Sequence, residues 1–309
     1  MNAVRASIFL PSLATLTLLT CVPGVRDSAS PDERPRRTVE LEQTSFLGPT
    51  AAAGALEFGR SKAAIDGAAR LDAATPWANS STQRAGGIPR EFYFSRVQYS
   101  SYRGGFRGGG SWAVDYPKAD QIFLSFVDRL LSNLDAYERE HVVRLADPDV
   151  RRFPFLYALE VGRMGLTGPE VNGLRDYLLA GGFLVIDDFW GSRQWANFEY
   201  EIRQVLPDHE IVDLPLDHPI FTAFYEIDEI LQVPGVGAGV NGGPTYQQDG
   251  FVPLVRGIHD ENGRLMVVIN WNTDLGDAWE WADNPYYPLR YSTYAYEMGV
   301  NMIVYAMSH

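Results

Sequence analysis

Hydrophobic positions from residue 91 to the C-terminus recur with two distinct periods. Short runs rich in aromatic and β-branched residues predict strands, and apolar residues three or four positions apart predict helices between them. The predicted strands cover residues 92–99, 153–159 and 183–186, with a hairpin of 252–258 and 265–271. The predicted helices begin near Asp115 and after Thr167, and cover residues 195–206 and 292–307.

Local signals at the ends of these elements agree with the periodicity. Thr167 and Glu170 have the spacing of a capping box, and Gly181 stands where a helix would end. The strand at 183–186 is wholly apolar, which is typical of a sheet covered on both faces. Strands that alternate with helices predict an α/β fold: a three-layer sandwich with a mostly parallel central sheet and an added antiparallel hairpin.

The N-terminus has the pattern of an export signal. Arg5 precedes an uncharged run over residues 6–22, which is typical of a secretory signal peptide. We predict a signal peptide at 1–21, with Cys21 either the lipid acceptor of a bacterial lipoprotein or an incidental residue of the signal. The expected location is therefore outside the cytoplasm of a bacterium, periplasmic or anchored to the membrane by lipid.

Composition divides the rest of the chain into two parts. Residues 22–90 are rich in Pro and Ala and carry mixed charges, which predicts a disordered or low-complexity linker. Residues 91–309 form the predicted folded domain and are acidic, with 16 Lys and Arg against 31 Asp and Glu. The formal net charge of the whole chain is −13, which excludes non-specific nucleic-acid binding because that needs a basic surface. Membrane contact is expected only through the N-terminal lipid.

Several runs within the domain resemble those of a known family. They read "LTGPEVNGLRDYLLAGGFLVIDDFWG", "DYPKAD", "LDHPIF", "NWNTDLGDAWEW" and "YEMGVNMIVYA". Together they resemble the domain of unknown function 4159 family, an uncharacterised branch of the class I glutamine amidotransferase-like superfamily. The resemblance implies a glutamine amidotransferase-like or flavodoxin-like sandwich over residues 91–309, and it implies no particular reaction.

The nucleophile of that superfamily is missing. Glutamine amidotransferases place a Cys on the sharp turn after the central strand, and the matching turn here is 187–191. Carboxylates stand in that turn, and Cys21 is the only cysteine of the chain. Because the amidotransferase reaction needs a thiolate, we predict that the chain is not a glutamine amidotransferase.

Asp187 and Asp188 are the leading site candidates, since ligands of open α/β sheets bind at the carboxyl ends of the strands. They are candidates for an acid–base pair or for cation ligands. The alternative is a structural role, with one of them capping the helix near Trp195. His218, between Asp217 and Pro219, is the third catalytic candidate, and its alternative role is to anchor a turn. The sequence assigns none of the three to catalysis.

A second oxygen-rich group follows the strand at 265–271. Its members are candidate ligands for a divalent cation such as Ca²⁺, the one cofactor that the sequence suggests: Asn270, Asn272, Asp274, Asp277 and Glu280. The alternative is that these residues form turns and satisfy backbone donors.

Aromatic residues crowd the sequence from Trp271 to Tyr294, and Trp112 and Trp190 join them if the loops converge. Trp112, Trp190 and Trp271 are predicted to wall a ligand-binding site together with Asp187, Asp188 and Asp274, because aromatic faces beside carboxylates suit sugar rings. The alternative is that these rings fill the core.

Two functions remain open. The first is a non-catalytic ligand-binding or interaction module for a glycan or peptide, which the missing nucleophile favours. The second is a carboxylate- or metal-dependent hydrolase of an envelope glycan or peptide. The hydrolase requires Asp187 or Asp188 to lie close to His218 or to the acidic members of the second oxygen-rich group.

Overall fold

The computed structural model describes residues 90–101 and 110–309. The predicted signal peptide, Cys21 and the predicted linker up to residue 89 lie outside the described residues. Within the described part, no helix is both long enough and apolar enough to cross a membrane.

A seven-stranded sheet forms the centre of the described part, in the order β2-β1-β3-β4-β7-β6-β5. The first five strands in that order, from β2 to β7, are parallel. β6 pairs antiparallel with β7, and β5 pairs antiparallel with β6. The strands are β1 (Ser95–Gln98), β2 (His141–Arg144), β3 (Phe155–Leu159), β4 (Phe183–Asp187), β5 (Ile211–Asp213), β6 (Leu254–His259) and β7 (Leu265–Trp271). The predicted α/β fold, with its antiparallel addition, is confirmed.

Helices cover both faces of this sheet. They are α1 (Lys118–Leu130), α2 (Gly168–Leu179), α3 (Gly191–Val205), α4 (Val236–Asn241), α5 (Leu275–Glu280) and α6 (Leu289–Ser308). The helices α1, α5 and α6 contribute to one hydrophobic cluster, and α2 and α3 contribute to the other.

The central strand β4 shows why the sheet needs apolar residues at every position. Phe183 and Val185 lie in the cluster on one face, whereas Leu184 and Ile186 lie in the cluster on the other. Burying each side chain of this size stabilises the fold by roughly 1.5–3 kcal/mol. A polar residue on either face would therefore be buried without water.

Most predicted boundaries shift by a few residues. The strand predicted from 92 begins at Ser95, and the hairpin strand predicted from 252 begins at Leu254. Pro253 precedes Leu254 and has no amide proton for a strand ladder, which explains the later start. The capping box of α2 is confirmed: Glu170 Oε2 accepts hydrogen bonds from the amide and the hydroxyl of Thr167.

The helix predicted from 195 begins at Gly191 instead. Three side-chain oxygens from other positions accept hydrogen bonds from the first amides of α3: Trp190 N–H donates to Gln194 Oε1, Gly191 N–H to Asn272 Oδ1, and Ser192 N–H to Asp249 Oδ1. These contacts satisfy donors that a helix start leaves free. Two of the acceptors come from distant segments, so local sequence gives no sign of them.

The short elements β2, β5, α4 and α5 carry no periodic signal and are absent from the prediction.

Candidate functional site

Three carboxylates meet at the carboxyl ends of the central strands. Asp188 follows β4, Asp274 follows β7, and Asp115 lies just before α1. One carboxylate oxygen from each lies within 4.8 Å of the other two. Parallel strands place their carboxyl ends at one edge of the sheet, so the topology brings these distant residues together. We call Asp115, Asp188 and Asp274 the carboxylate triad.

A second acidic group shares a member with the triad. Asp115, Asp277 and Glu280 also bring one oxygen each within 4.8 Å of one another. Asp277 and Glu280 both lie on α5, and Asp274 is the residue that caps this helix. Asp115 thus stands between two sets of carboxylates.

The backbone at this edge is strained. Asp188, Asp115 and Glu160 have φ angles of 46°, 60° and 52°, and Asn272 has a φ of 61°. For residues with a Cβ, such left-handed conformations cost of order 1–3 kcal/mol each. The amide of Glu160 donates to the carbonyl of Asp188 at 3.1 Å, which joins two of the strained positions. Strain of this kind concentrates at sites that bind or react.

The neighbours Asp187 and Asp188 have different roles. Asp187 is fully buried and accepts hydrogen bonds from the Tyr157 hydroxyl at 2.7 Å, from Gly276 N–H at 3.0 Å and from Leu275 N–H at 3.3 Å. It therefore caps α5, not the helix that contains Trp195. Asp188 points into the triad.

Each triad member keeps an oxygen that accepts no hydrogen bond from the described residues. In Asp188 the engaged oxygen is Oδ1, which accepts a hydrogen bond from Trp190 Nε1 at 2.9 Å. Asp274 uses Oδ1, which accepts from Asp277 N–H at 2.8 Å. Asp115 Oδ2 is buried and has no partner at all. A buried carboxylate oxygen without a donor is costly, and a cation at this point would remove that cost.

Positive charge compensates the triad only in part: the Arg96 guanidinium, which is paired with Asp120, acts to lower the pKa of Asp115. Asp188 and Asp274 are only 5% and 4% exposed, and among the described residues no salt bridge joins a Lys or Arg to any triad member. Burial raises the pKa of all three carboxyl groups well above the ordinary value, and neighbouring carboxylates raise each pKa further. Burial likewise raises the pKa of Asp187 to about 6, although its hydrogen bonds act in the opposite direction.

The structure gives different roles to the five oxygen-rich candidates that lie at the end of β7 and after it. Asp274, Asp277 and Glu280 belong to the acidic groups. Asn270 Nδ2 instead donates to the carbonyl of Ile186, and Asn272 joins the start of α3 to Val252. The two Asn residues therefore hold strands and turns together.

Asp115 was missed as a site residue by the sequence reasoning. Its position beside Pro117 indicated only the beginning of a helix. The available signal was topological, because a residue between β1 and its following helix lies at the same edge as Asp188.

His218 lies at the opposite edge of the sheet. Its Nε2 is 3.3 Å from Nε2 of His259, the last residue of β6, which runs antiparallel to β7. Its Nδ1 accepts from Ile220 N–H at 3.1 Å and caps the short 3₁₀ helix Pro219–Phe221. The hydrolase requirement is therefore met by Asp188 with Asp274, and not by His218.

The rings predicted to wall the site are mostly internal. Trp112 and Trp190 are 7% and 2% exposed, which favours the alternative that these two rings fill the core. Trp271 is half-buried, and the Arg256 guanidinium lies 4.7 Å from its ring and 4.3 Å from that of Trp195. Trp112 and Trp271 pack with the hydrophobic cluster to which α2 and α3 contribute.

A surface cavity of about 280 Å³ lies beside the acidic groups. Asp277 lines it together with residues 235–238 and 244–247. At its rim, the exposed rings of Tyr246 and Phe251 pack edge to face at 4.7 Å.

The fold and the site together define an α/β sandwich domain. At the carboxyl edge of its sheet, carboxylates lie close together and form no salt bridge with a Lys or Arg of the described residues. The family described as "Domain of unknown function (DUF4159)" matches residues 93–307, and the chain belongs to this family. No curated protein matches the chain.

Proposed function

We propose that this domain is a non-catalytic binding module whose carboxylate triad binds a hard divalent cation, with Ca²⁺ as the first choice. One observation carries the proposal: two buried carboxylates, Asp188 and Asp274, and the half-buried Asp115 meet within 4.8 Å, with no salt bridge to a Lys or Arg of the described residues. Three negative charges in such a place repel one another, and a divalent cation relieves that repulsion.

The donor atoms support a hard cation over a transition metal. Every candidate ligand of both acidic groups is a carboxylate oxygen, and neither group contains His or Cys. Oxygen ligands suit Ca²⁺, Mg²⁺ and Mn²⁺, whereas Zn²⁺ sites normally include imidazole or thiolate. Ca²⁺ takes six to eight oxygens, so the triad leaves coordination positions for water or for a ligand such as a glycan or peptide.

Isothermal titration of the full-length protein with Ca²⁺, Mg²⁺ and Mn²⁺ tests this proposal. We expect saturable binding that weakens roughly 100-fold or more in Asp188→Asn. The matched control is Asp208→Asn, which removes an exposed carboxylate and should bind as the wild type does. Absence of binding for all three ions, or equal binding by both variants, would contradict the proposal.

A metal-dependent hydrolase is the second candidate. The observation that favours it is Asp115, which belongs to both acidic groups and could bridge two cations. Two bridged cations can activate a water between them. Turnover of nitrophenyl esters, phosphates or glycosides that needs Mn²⁺ and is lost in Asp115→Asn would favour this candidate over the binding module.

The turn between β4 and α3 supports a place in the class I glutamine amidotransferase-like superfamily. Asp188 has a φ of 46° between a central strand and a helix, which is the geometry of a strained nucleophile turn. We propose that Asp188 occupies the nucleophile position in a domain that carries no Cys there. A structural superposition that placed residue 188 away from that turn would contradict this placement.

Export remains part of the proposal. A secreted lipoprotein would hold the domain in the bacterial envelope through Cys21, with residues 22–90 as a tether. Mass spectrometry of the mature protein tests this: a diacylglyceryl-modified Cys21 is expected, and an unmodified N-terminus beyond Cys21 would exclude the lipid anchor.

A further inference from the structure

We infer that the cavity beside the acidic groups binds a small, uncharged, hydroxyl-rich ligand, such as one sugar residue, which supplies oxygens to the bound cation. This inference rests on the proposed cation site and names the class of ligand that the site takes. The cavity comes close to the carboxylates at Gly235.

Gly235 lies between the cavity and two carboxylates. A Cβ at this position would lie 3.2 Å from Asp277 Oδ2, 3.5 Å from Asp274 Oδ2 and 3.7 Å from Gln247 Nε2, so the glycine backbone is close to both carboxylates. Gly235 and Asp277 both line the cavity, which places a ligand there next to two of the candidate cation ligands. A side chain at position 235 would occupy the small space between them.

The charge of the cavity wall excludes an anionic ligand held by the protein alone. None of the residues that line the cavity is Lys, Arg or His, and Asp277 is the ionisable acid among them. A phosphate or carboxylate ligand would find no cationic side chain among these residues and would be repelled by the Asp277 carboxylate. A neutral ligand meets none.

The remaining lining groups suit hydroxyl groups and the apolar face of a sugar ring. Thr245 and Gln247 offer hydrogen-bonding side chains. On another wall, Val236 is the one side chain between Gly235 and Gly237. At the rim, Tyr246 and Phe251 are 41% and 61% exposed. Exposed aromatic rings stack against the apolar faces of sugars while polar groups bind the hydroxyls.

The size of the cavity limits the ligand. About 280 Å³ is near the lower end of the range for small-molecule sites, which begins at roughly 300 Å³. Such a space accommodates a single ring and not an extended chain. A longer glycan would place one residue in the cavity and extend outward past the Tyr246–Phe251 pair.

The test uses the full-length protein with methyl glycosides of glucose, galactose, mannose and N-acetylglucosamine as probes. Saturation-transfer NMR is recorded with the cation that binds most tightly in the titration above, and again after EDTA. We expect saturation transfer to at least one glycoside that EDTA abolishes. In Gly235→Ala the glycoside signal should fall at least fivefold while the cation affinity stays within about threefold of the wild type. Gln247→Ala removes an exposed polar side chain that makes no hydrogen bond with the other described residues, and it should weaken the glycoside signal in the same way.

The control is Gly168→Ala, where an added Cβ meets no atom within 4 Å and lies on a different helix. It should retain both the cation and the glycoside. If the cation binds and no glycoside does, the inference fails and the cation proposal stands. If no cation binds, both fail. Glycoside binding that survives EDTA, or preferential binding of glucose 6-phosphate or ethanolamine, would also overturn the inference.

Discussion

The two edges of the sheet differ in whether their polar and charged groups have partners. At the amino edge of β4 and β7, the Arg264 guanidinium donates to the carbonyls of Leu178, Gly181 and Gly182 and to the Asp260 carboxylate. At the carboxyl edge, Asp115, Asp188 and Asp274 face one another without a positive partner.

This difference indicates that the amino edge contributes to stability, whereas the carboxyl edge is the place to look for ligand binding. The amino edge joins the end of α2 to the hairpin through satisfied hydrogen bonds, so removing a partner there should only destabilise the fold. The carboxyl edge combines strained backbone with charge repulsion. In folded proteins, such unfavourable features concentrate at sites where ligand binding offsets their free energy. Four predictions test this contrast, from the largest expected effect to the smallest.

The largest effect concerns pH. The pKa of Asp187 is raised from 3.8 to about 6 in the folded state, so between these values the folded protein holds a proton that the unfolded chain has released. The free energy of unfolding should therefore fall as pH rises from about 4 to about 6, by about 3 kcal/mol for this group. Urea unfolding of the cation-free protein measures it.

Two comparisons sharpen the pH prediction. Asp187→Asn should make the slope between pH 4 and 6 shallower, because one titrating group is gone, while the triad carboxyls, whose pKa values are also raised, keep contributing to it. Added cation should raise stability more at high pH than at low pH, because protonated carboxyls bind cations poorly. Stability of the cation-free wild type that rises steadily across this window would contradict the assignment.

At the amino edge, Arg264→Ala should lower the free energy of unfolding by about 2 kcal/mol, because several charge-assisted hydrogen bonds are lost. Cation affinity should not change, since Arg264 lies at the other end of β7. Chemical denaturation and cation titration measure the two quantities. If Arg264→Ala also lost cation binding, the two edges would be coupled, and the contrast between them would be wrong.

At the carboxyl edge, Asp188→Asn should raise the stability of the cation-free protein by about 1 kcal/mol, because it removes one of three repelling carboxylates. In saturating cation the order should reverse, with the wild type the more stable protein. Thermal unfolding with and without EDTA measures both. A variant that is less stable than the wild type in EDTA would show that the triad is not under strain.

The smallest effect is expected at His218. His218→Asn keeps a side-chain acceptor for Ile220 N–H at the start of the 3₁₀ helix, so stability should change by no more than about 0.5 kcal/mol. Cation affinity should be unchanged. A clear loss of cation binding or of turnover in this variant would restore His218 as a functional residue.

The sequence predicted most of the fold because the responsible signals are local. The apolar run of β4, the capping box at Thr167 and the hairpin turn near Gly263 each involve residues close together in the chain. The start of α3 was missed because Asn272 and Asp249 supply its acceptors from distant segments.

The candidate site was predicted in part for the same reason. Asp188 and Asp274 follow recognisable strands, so their place at the carboxyl edge could be expected. Asp115 completes the triad through the order of strands in the sheet, which hydrophobic periodicity does not give. Asn270 and Asn272 share the spacing of cation ligands with their neighbours, and only their hydrogen bonds distinguish them as structural.

The contact between Asp249 and Ser192 has a consequence for how this family varies. Both oxygens of Asp249 engage Ser192, one accepting from its amide at 2.9 Å and the other from its hydroxyl at 2.5 Å. Asp249 is two residues from Gln247 in the cavity wall, and Ser192 is four residues from Asp188. A change of the wall that displaced Asp249 would therefore remove acceptors from the first turn of α3. Among relatives, positions 192 and 249 should consequently change together as a coevolving pair.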